Sequence, residues 1–193
     1  MKEVWVLVTD GFADWEASYV SAELNNPKTG FQVKTIAIDK SPKVSMGGFR
    51  VLPDYDLHDD PAQVDLAMLI IPGGTGWRDD KNQQAAQLVQ HCVDREIPVA
   101  GICDATTFLA NHGFLENNKH TGNSIGLLKE GAPHYSGDRH YIEAQSVSDG
   151  NIITANGTGA VEFAKHILEK LGVYEGEQLE EWYTLFKKGY LAE

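Results

Sequence analysis

The pattern of apolar and polar residues along the chain predicts strands and helices in alternation. Two near-continuous apolar runs, at residues 64–74 and 97–102, are typical of parallel strands that are buried on both faces. Elsewhere, apolar residues recur three and four positions apart, which predicts amphipathic helices. The predicted strands are 3–9, 30–39, 64–74 and 97–102, with a hairpin around Asp149-Gly150 and a smaller hairpin in 45–57; the predicted helices are 14–26, 82–96, 105–115, 160–172 and 177–193.

This alternation predicts an α/β fold of three layers, in which a mostly parallel sheet carries helices on both faces. A length of 193 residues, without repeats or an obvious linker, predicts a single domain over 1–193. In open sheets of this class, ligands bind beyond the carboxyl ends of the strands. We therefore expect functional side chains in the segments that directly follow the strands.

Composition and charge indicate which kinds of partner and cofactor the protein is not expected to bind. The net charge of −12 repels nucleic acid and anionic membranes, so we expect neither as a partner. No apolar run is long enough to span a bilayer, and the first residues do not resemble a signal peptide, which predicts a cytoplasmic protein with two free thiols. Cysteine and histidine do not occur at the spacings of metal sites, and we expect no metal and no cofactor.

Cys103 stands at the junction between a predicted strand and a predicted helix. A tight strand-to-helix turn can hold such a residue in a strained conformation with its sulfur exposed above the sheet, as in a nucleophile elbow. The N-terminus of the helix is expected to lower the pKa of the thiol and favour the thiolate. The alternative is an inert core thiol, since free cysteine is often buried. For Cys92, inside a predicted helix, the inert interpretation is favoured.

A glycine turn is predicted at the same edge of the sheet. Gly73 and Gly74 end the apolar run 64–74, and glycines there let a ligand approach the backbone closely. The N–H groups of Gly74 and Asp104 are candidates for an oxyanion hole that assists addition to a carbonyl. The alternative is an ordinary turn, because Pro-Gly-Gly is common turn chemistry.

Glu16 follows the first predicted strand closely. If that strand neighbours the one leading to Cys103, the Glu16 carboxyl reaches the sulfur. A carboxyl in a confined apolar site tends to have a raised pKa and can exchange protons with a thiol or a substrate. The competing interpretation is a glutamate in the first turn of a helix, where the helix dipole favours a negative charge.

The chain resembles the PfpI-type superfamily over essentially its whole length, in DGFADWE, VDLAMLIIPGG, IPVAGICDATTFLANHGFLENNKHTGN and DGNIITANGTGAVEFAKHILEKLG. This superfamily includes the PfpI-like intracellular proteases and the parkinsonism-associated glyoxalase/deglycase protein. The resemblance implies a flavodoxin-like, class I glutamine amidotransferase-like fold. It also implies that Cys103 is the reactive cysteine, Glu16 the pocket glutamate, and Gly74 and Asp104 the donors of the oxyanion site.

The sequence departs from the family pattern around the cysteine. PfpI-like proteases usually have histidine directly after the cysteine, where this chain has Asp104. Other members have a histidine in the segment that reads KHTGN here; its position falls at Asn123, with His120 three residues earlier. His120 and Asn123 are therefore the candidates for an accessory role at Cys103. The alternative for His120 is a surface or capping histidine.

These features predict a cofactor-free small-molecule enzyme, in which the Cys103 thiolate adds to the carbonyl of a reactive aldehyde or an amide. The chemistry expected is glyoxalase/deglycase-like or that of an amidase-like hydrolase. The alternatives are a redox-sensing stress-response protein without turnover, an intracellular cysteine peptidase, and a non-catalytic binding module. The resemblance also implies a homodimer or higher homo-oligomer, with apolar contacts from the first helix and from a tail helix with Trp182 and Phe186.

Overall fold

A seven-stranded sheet forms the centre of the computed structural model, which describes residues 1–190. The strands are β1 (Lys2–Leu7), β2 (Phe31–Ala37), β3 (Lys43–Val44), β4 (Arg50–Val51), β5 (Tyr55–Asp56), β6 (Leu66–Ile71), β7 (Val99–Ile102), β8 (Ser146–Asp149) and β9 (Ile152–Ala155). β3 and β4 form an antiparallel hairpin, and the other strands form the sheet in the order β5-β2-β1-β6-β7-β9-β8. Within the sheet only β8 runs antiparallel to its neighbour. The predicted α/β class is confirmed.

Helices cover both faces of this sheet, as predicted. Alternate residues of β1 separate the layers: Val4 and Val6 pack with one set of helices, and Trp5 and Leu7 with the other. The first set is α1 (Ser18–Leu24), α6 (Ala160–Lys170) and α7 (Gly176–Lys188); the second is α3 (Ala86–Asp94), α4 (Asp104–Asn111) and α5 (Ile125–Gly131), with the short α2 (Asp80–Gln83) before α3. Among the described helices, none combines the length and the apolar character that crossing a membrane requires.

The strand order determines where the functional segments meet. β6 lies between β1 and β7 in the centre of the sheet, and the three strands run parallel. Their carboxyl ends therefore lie side by side, and the segments that follow them converge above one edge. These segments carry Glu16, the Gly73-Gly74 turn and Cys103, in that order along the chain. The first strand is one strand removed from the strand leading to Cys103 and is not its direct neighbour, which was the condition set in the sequence analysis.

The segment after β1 differs from the helix predicted over 14–26. Residues 14–17 form turns, and α1 begins later. The Asp14 carboxylate accepts hydrogen bonds from the β3–β4 hairpin, so it is not available to cap a helix at this point. Glu16 therefore lies on a turn and not in the first turn of a helix. Trp15, on the same turn, is 48% exposed.

Smaller differences occur elsewhere in the chain. The helix predicted over 82–96 is divided into α2 and α3, and β7 is shorter than the strand predicted over 97–102. The short helix α5 was not predicted; the Ser124 side chain caps it by accepting a hydrogen bond from the Leu127 N–H. α7 corresponds to the predicted tail helix 177–193, whose last three residues lie outside the described residues.

Candidate active site

Cys103 occupies a strained turn between β7 and α4. Its backbone angles are φ 59° and ψ −129°, in a region that residues with a side chain rarely adopt. The Cys103 N–H donates to the Ala155 carbonyl at 2.9 Å, which holds the turn against β9. The side chain is partly buried, and the thiol is free. The structure therefore places Cys103 at a strand-to-helix elbow, as the sequence predicted.

The Gly73 turn packs directly against this elbow. A Cβ atom on Gly73 would lie 2.6 Å from the Cβ of Cys103 and 2.9 Å from the Asp104 nitrogen, closer than real Cβ contacts. The turn after β6 thus approaches the elbow only because residue 73 has no side chain. The sequence analysis assigned Gly73 and Gly74 to close approach of a ligand or to an ordinary turn, and did not predict this contact.

Glu16 is buried beside the elbow, with an exposed fraction of 1%. Its Oε2 accepts a hydrogen bond from the Gly73 N–H at 2.6 Å. Its Oε1 is also buried and has no hydrogen-bond partner among residues 1–190. Burial raises the pKa of Glu16 to about 7; the Gly73 N–H and the neighbouring Cys103 thiol oppose this shift, and the Asp104 charge adds to it. The carboxyl is thus able to exchange a proton near neutral pH.

The pKa of the Cys103 thiol differs from the sequence expectation. We expected the helix N-terminus to lower it, but burial raises it, and the charge and hydrogen bonding of Glu16 raise it further. Asn123 and the Asp104 N–H act in the opposite direction and do not compensate. Desolvation of the sulfur therefore outweighs the favourable donors. At neutral pH the resting site holds a thiol and not a thiolate.

Asn123 lies at the sulfur. Its Nδ2 donates to Cys103 Sγ at 3.4 Å, and its Oδ1 accepts from the Gly157 N–H at 2.8 Å, which orients the amide. A Cβ on Gly157 would lie 2.9 Å from Cys103 Sγ, so glycine allows this close approach. Sequence reasoning missed Gly157; the turn-forming Asn156-Gly157 pair directly after β9 was the available signal.

His120 does not lie at the sulfur, which corrects its candidacy as an accessory residue. The ring is fully buried; Nδ1 donates to the Asn118 carbonyl at 2.7 Å, and Nε2 accepts from the Tyr135 hydroxyl at 2.5 Å. Both ring nitrogens are therefore engaged in the core, and burial lowers the pKa of the imidazole. Within residues 1–190, no histidine forms a hydrogen bond with Cys103 Sγ.

Two backbone N–H groups at the turns after β6 and β7 are the candidate oxyanion donors. Gly74 has φ 125°, and residues on either side of it pair with the turn after β1, while its own N–H donates no hydrogen bond within residues 1–190. The Asp104 N–H is the first of α4, where helical donors lack an intrahelical acceptor. The Asp104 carboxylate turns to Arg78, at 3.4 Å from Nε. These two N–H groups are suited to donate hydrogen bonds to the oxygen of a carbonyl group whose carbon the sulfur attacks.

A cleft of about 330 Å³ adjoins the elbow on the α4 side. Arg78, Asp104, Thr107 and Glu130 are among its lining residues. Trp77 also lines it, as a buried ring that is 3% exposed and stacked on Phe108 at 4.4 Å between ring centroids. In the described part of the chain, no group of three or more His, Cys, Asp or Glu side chains is placed to hold a metal ion.

The sequence and the structure are similar to those of proteins of one family. The sequence model of the DJ-1/PfpI family matches residues 2–170. The chain is 36% identical over 191 residues to the uncharacterized protease YdeA of Bacillus subtilis (strain 168), covering 98% of this chain and 93% of that protein. Among solved structures, it is similar to a thiJ/pfpI family protein from Bacillus anthracis, with a TM-score of 0.90, 33% identity, and coverage of 98% and 92%. A DJ-1 superfamily protein from Agrobacterium tumefaciens aligns with a TM-score of 0.88 and 35% identity, covering 97% and 98%.

The raised pKa of Glu16 predicts a pH dependence of stability that the variant Glu16→Gln lacks. The folded chain holds a proton on this carboxyl up to about pH 7, whereas the unfolded chain releases it near 4.5. The stabilisation is therefore complete below pH 4.5 and is lost as the pH rises through about 7. A shift of this size corresponds to about 3 kcal/mol. In urea titrations, we expect the free energy of unfolding of the wild type to fall by that amount relative to Glu16→Gln across this range.

The matched control is Glu130→Gln, which neutralises an exposed glutamate in the nearby cleft. Its stability should follow that of the wild type at every pH. A constant difference between the wild type and Glu16→Gln from acid to neutral pH would contradict a raised pKa at Glu16.

Two further variants should move the pKa of the Cys103 thiol in opposite directions. Asn123→Ala removes a hydrogen bond that lowers this pKa, and Glu16→Gln removes a charge that raises it. The pKa is measured from the pH dependence of alkylation by iodoacetamide, with each cysteine followed by mass spectrometry. Cys92 is the internal control, because burial raises its pKa to about 12. Shifts of the same sign in both variants would exclude the described environment of the sulfur.

Proposed function

Because the chain belongs to the DJ-1/PfpI family, we propose that it is a cofactor-free enzyme that converts a reactive aldehyde, with Cys103 as the nucleophile. One observation carries the proposal: the buried Glu16 carboxyl, with a pKa of about 7 and one free oxygen, adjoins a thiol at a strained elbow. A thiol that attacks must lose its proton, and this carboxyl is a suitable acceptor. We place the enzyme in the cytoplasm, which keeps both of its free thiols reduced.

The first step is addition of Cys103 to the aldehyde carbon. A bond forms between Sγ and carbon, the carbonyl π-electrons move to oxygen, and the thiol proton passes to the Glu16 carboxylate. The Gly74 and Asp104 N–H groups stabilise the developing oxyanion. Glu16 then returns the proton to this oxygen, which gives a neutral hemithioacetal. The raised thiol pKa is compatible with this step because deprotonation accompanies the attack.

With a 2-oxoaldehyde, the same carboxylate completes the reaction. Glu16 removes the C–H proton of the hemithioacetal, which gives an enediolate with its charge on the former ketone oxygen. The hydroxyl proton of the first carbon passes to that oxygen, and Glu16 returns its proton to the former ketone carbon. The product is a thioester of a 2-hydroxy acid. Water then hydrolyses this thioester, releasing the 2-hydroxy acid and the free thiol. The 2-hydroxy acid has the composition of the 2-oxoaldehyde plus one water, so the overall reaction needs no external oxidant or reductant.

Amide hydrolysis is the second candidate, because a relative covering 98% of this chain is named a protease. Expulsion of an amine requires a general acid, and Glu16 in its neutral form is the group available for this task. A sensor that depends on a low-pKa thiolate is not favoured, since burial raises the pKa of Cys103. Amide and aldehyde substrates therefore belong in the same assay.

Loss of either central side chain should remove turnover of a 2-oxoaldehyde. We expect Cys103→Ser to abolish formation of the 2-hydroxy acid, and Glu16→Gln to reduce it by about 10² to 10⁴, the usual contribution of a general acid–base group. Cys92→Ala, at a buried thiol in α3, should retain wild-type turnover. Product is measured by chromatography, beside a peptide amide as the competing substrate. Equal rates in the wild type and Cys103→Ser would rule out the proposed reaction.

The pH profile should identify the protonation state that Glu16 needs. If its carboxylate accepts the thiol proton, kcat/KM rises with pH through about 7. Asp104→Asn should move this rise to lower pH, because the Asp104 charge raises the pKa of Glu16. Glu130→Gln, in the same cleft, should leave the profile in place. A rate that instead falls through this range would mean that neutral Glu16 is the active form, as amide hydrolysis requires.

A further inference from the structure

A cavity of about 360 Å³ lies at the amino ends of β7 and β9, at the opposite edge of the sheet from the Cys103 elbow. Glu96 and Ile97 line it from the segment before β7. Asn151 and Ile152 line it from β9 and the residue before it, and the ends of α3 and α4 complete the wall. We call it the amino-edge cavity. Small-molecule sites have volumes of about 300–1,000 Å³, so the amino-edge cavity is large enough to hold a ligand.

Glu96 has a strained backbone conformation at this cavity. Its φ is 57°, and the other non-glycine residue with a positive φ among residues 1–190 is Cys103. The Glu96 N–H donates to the Val93 carbonyl at 3.1 Å, in the hydrogen-bonded turn that ends α3. α4 ends in the same kind of turn, with Gly113 at the equivalent position and Ala110 as its acceptor. Residues held in such a conformation cluster at active sites and ligand clamps, so a carboxylate where glycine is favoured points to a role for the side chain.

Three amide side chains that line the amino-edge cavity have free oxygen atoms. The amide nitrogens of Gln90, Asn118 and Asn151 each donate to a carboxylate or a backbone carbonyl, at 2.7, 3.3 and 3.0 Å. These partners can only accept a hydrogen bond, which determines how each amide is oriented. The three amide oxygens accept no hydrogen bond within residues 1–190. The cavity is therefore rich in acceptors, and its amide donors are already engaged.

The charges at the amino-edge cavity favour a cation. The last carbonyl groups of α3 and α4 lack an intrahelical donor, and the C-terminal end of a helix carries a partial negative charge. Glu96 adds a full negative charge. Among the described residues that line the cavity, none is a lysine or an arginine. A ligand that both donates hydrogen bonds and carries a positive charge satisfies all of these groups.

Apolar side chains in the same cavity favour an organic cation over a metal ion. Val93, Ile97 and Phe114 line it, and Glu96 is the one carboxylate among its described lining residues. Divalent cations are held by several oxygen ligands in close coordination, and apolar side chains contribute nothing to such a site. They pack instead against the carbon atoms of a ligand, and the face of a phenylalanine ring also attracts an ammonium group.

We propose that the amino-edge cavity binds a primary ammonium ion that has a short apolar body. The ammonium group donates to the Glu96 carboxylate and to the free amide oxygens, and the body packs against Val93, Ile97 and Phe114. This site lies at the other edge of the sheet from Cys103, so it is independent of the proposed reaction of the thiol.

Isothermal titration calorimetry with 2-phenylethylammonium tests the proposal on the full chain. We expect one saturable site with a Kd of about 1 mM or below, which is within the affinity that a ligand of this size reaches. 2-Phenylethanol and 3-phenylpropionate are neutral and anionic ligands of similar size, and each should bind at least about tenfold more weakly, because neither offers a charge-assisted donor. Cys103→Ser should bind the ammonium ligand like the wild type.

Two substitutions at Glu96 separate the role of its charge from its effect on folding. Glu96→Gln keeps the size and removes the charge, and should raise the Kd at least about tenfold. Glu96→Gly also removes the carboxylate but suits the positive φ, so it should bind as weakly and unfold at no lower urea concentration than the wild type. The matched control is Glu130→Gln, which neutralises an exposed glutamate in the cleft beside Cys103 and should leave the Kd unchanged.

A lysine placed in the cavity should compete with the ligand. Val93→Lys introduces an ammonium group at a residue that is 40% exposed near the end of α3, and we expect it to abolish binding. Leu127→Lys is the control, at a residue of α5 that is 42% exposed outside the cavity, and it should bind like the wild type. Near-UV circular dichroism shows whether each variant keeps its tertiary packing.

Three results would overturn the proposal. The first is the absence of saturable binding to the wild type, or equal affinity for the three ligands. The second is binding that both Glu96→Gln and Val93→Lys leave intact. The third is binding that Glu130→Gln or Cys103→Ser abolishes, since the ligand would then occupy the cleft beside the elbow.

Discussion

The candidate site depends on one buried hydrogen bond, from the Gly73 N–H to Glu16 Oε2 at 2.6 Å. This bond joins the turn after β1 to the turn after β6, and Gly73 in turn packs on the Cys103 elbow after β7. A side chain at residue 73 would separate these three turns, since its Cβ would lie 2.6 Å from that of Cys103. Absence of a side chain at one position therefore allows a carboxyl and a thiol to share a small, poorly solvated space.

Burial in that space determines how the site is charged. Removal from water disfavours both the carboxylate of Glu16 and the thiolate of Cys103, and the charge of Glu16 further disfavours the thiolate. The resting Cys103 side chain consequently keeps its proton near neutral pH. From the sequence, the N–H groups at the start of α4 suggested that the Cys103 thiol would be ionised. Their effect on the thiol pKa is smaller than that of burial, which disfavours the full negative charge of the thiolate. A mechanism in which Glu16 takes the proton as the sulfur attacks agrees with this balance better than one that begins from a free thiolate.

The turn after β1 connects the site to the β3–β4 hairpin. Its Asp14 carboxylate accepts hydrogen bonds from Ser45 and Gly47 of the hairpin, and two residues later Glu16 enters the site. Trp15 lies between these two residues and faces solvent. One short segment therefore anchors the hairpin and supplies the buried carboxyl.

Much of the fold was predictable from the sequence, because it depends on local periodicity. The apolar runs of β6 and β7, the hairpin at Asp149-Gly150 and the amphipathic α6 are each encoded in a few consecutive residues, and each was predicted. The site was predictable in part, since parallel neighbouring strands bring their ends to one edge. Tertiary structure alone decided the rest: that His120 is engaged in the core, that Gly73 and Gly157 pack on the elbow, and that the thiol pKa rises. These outcomes follow from distances between segments far apart in the chain and from burial, neither of which local sequence patterns contain.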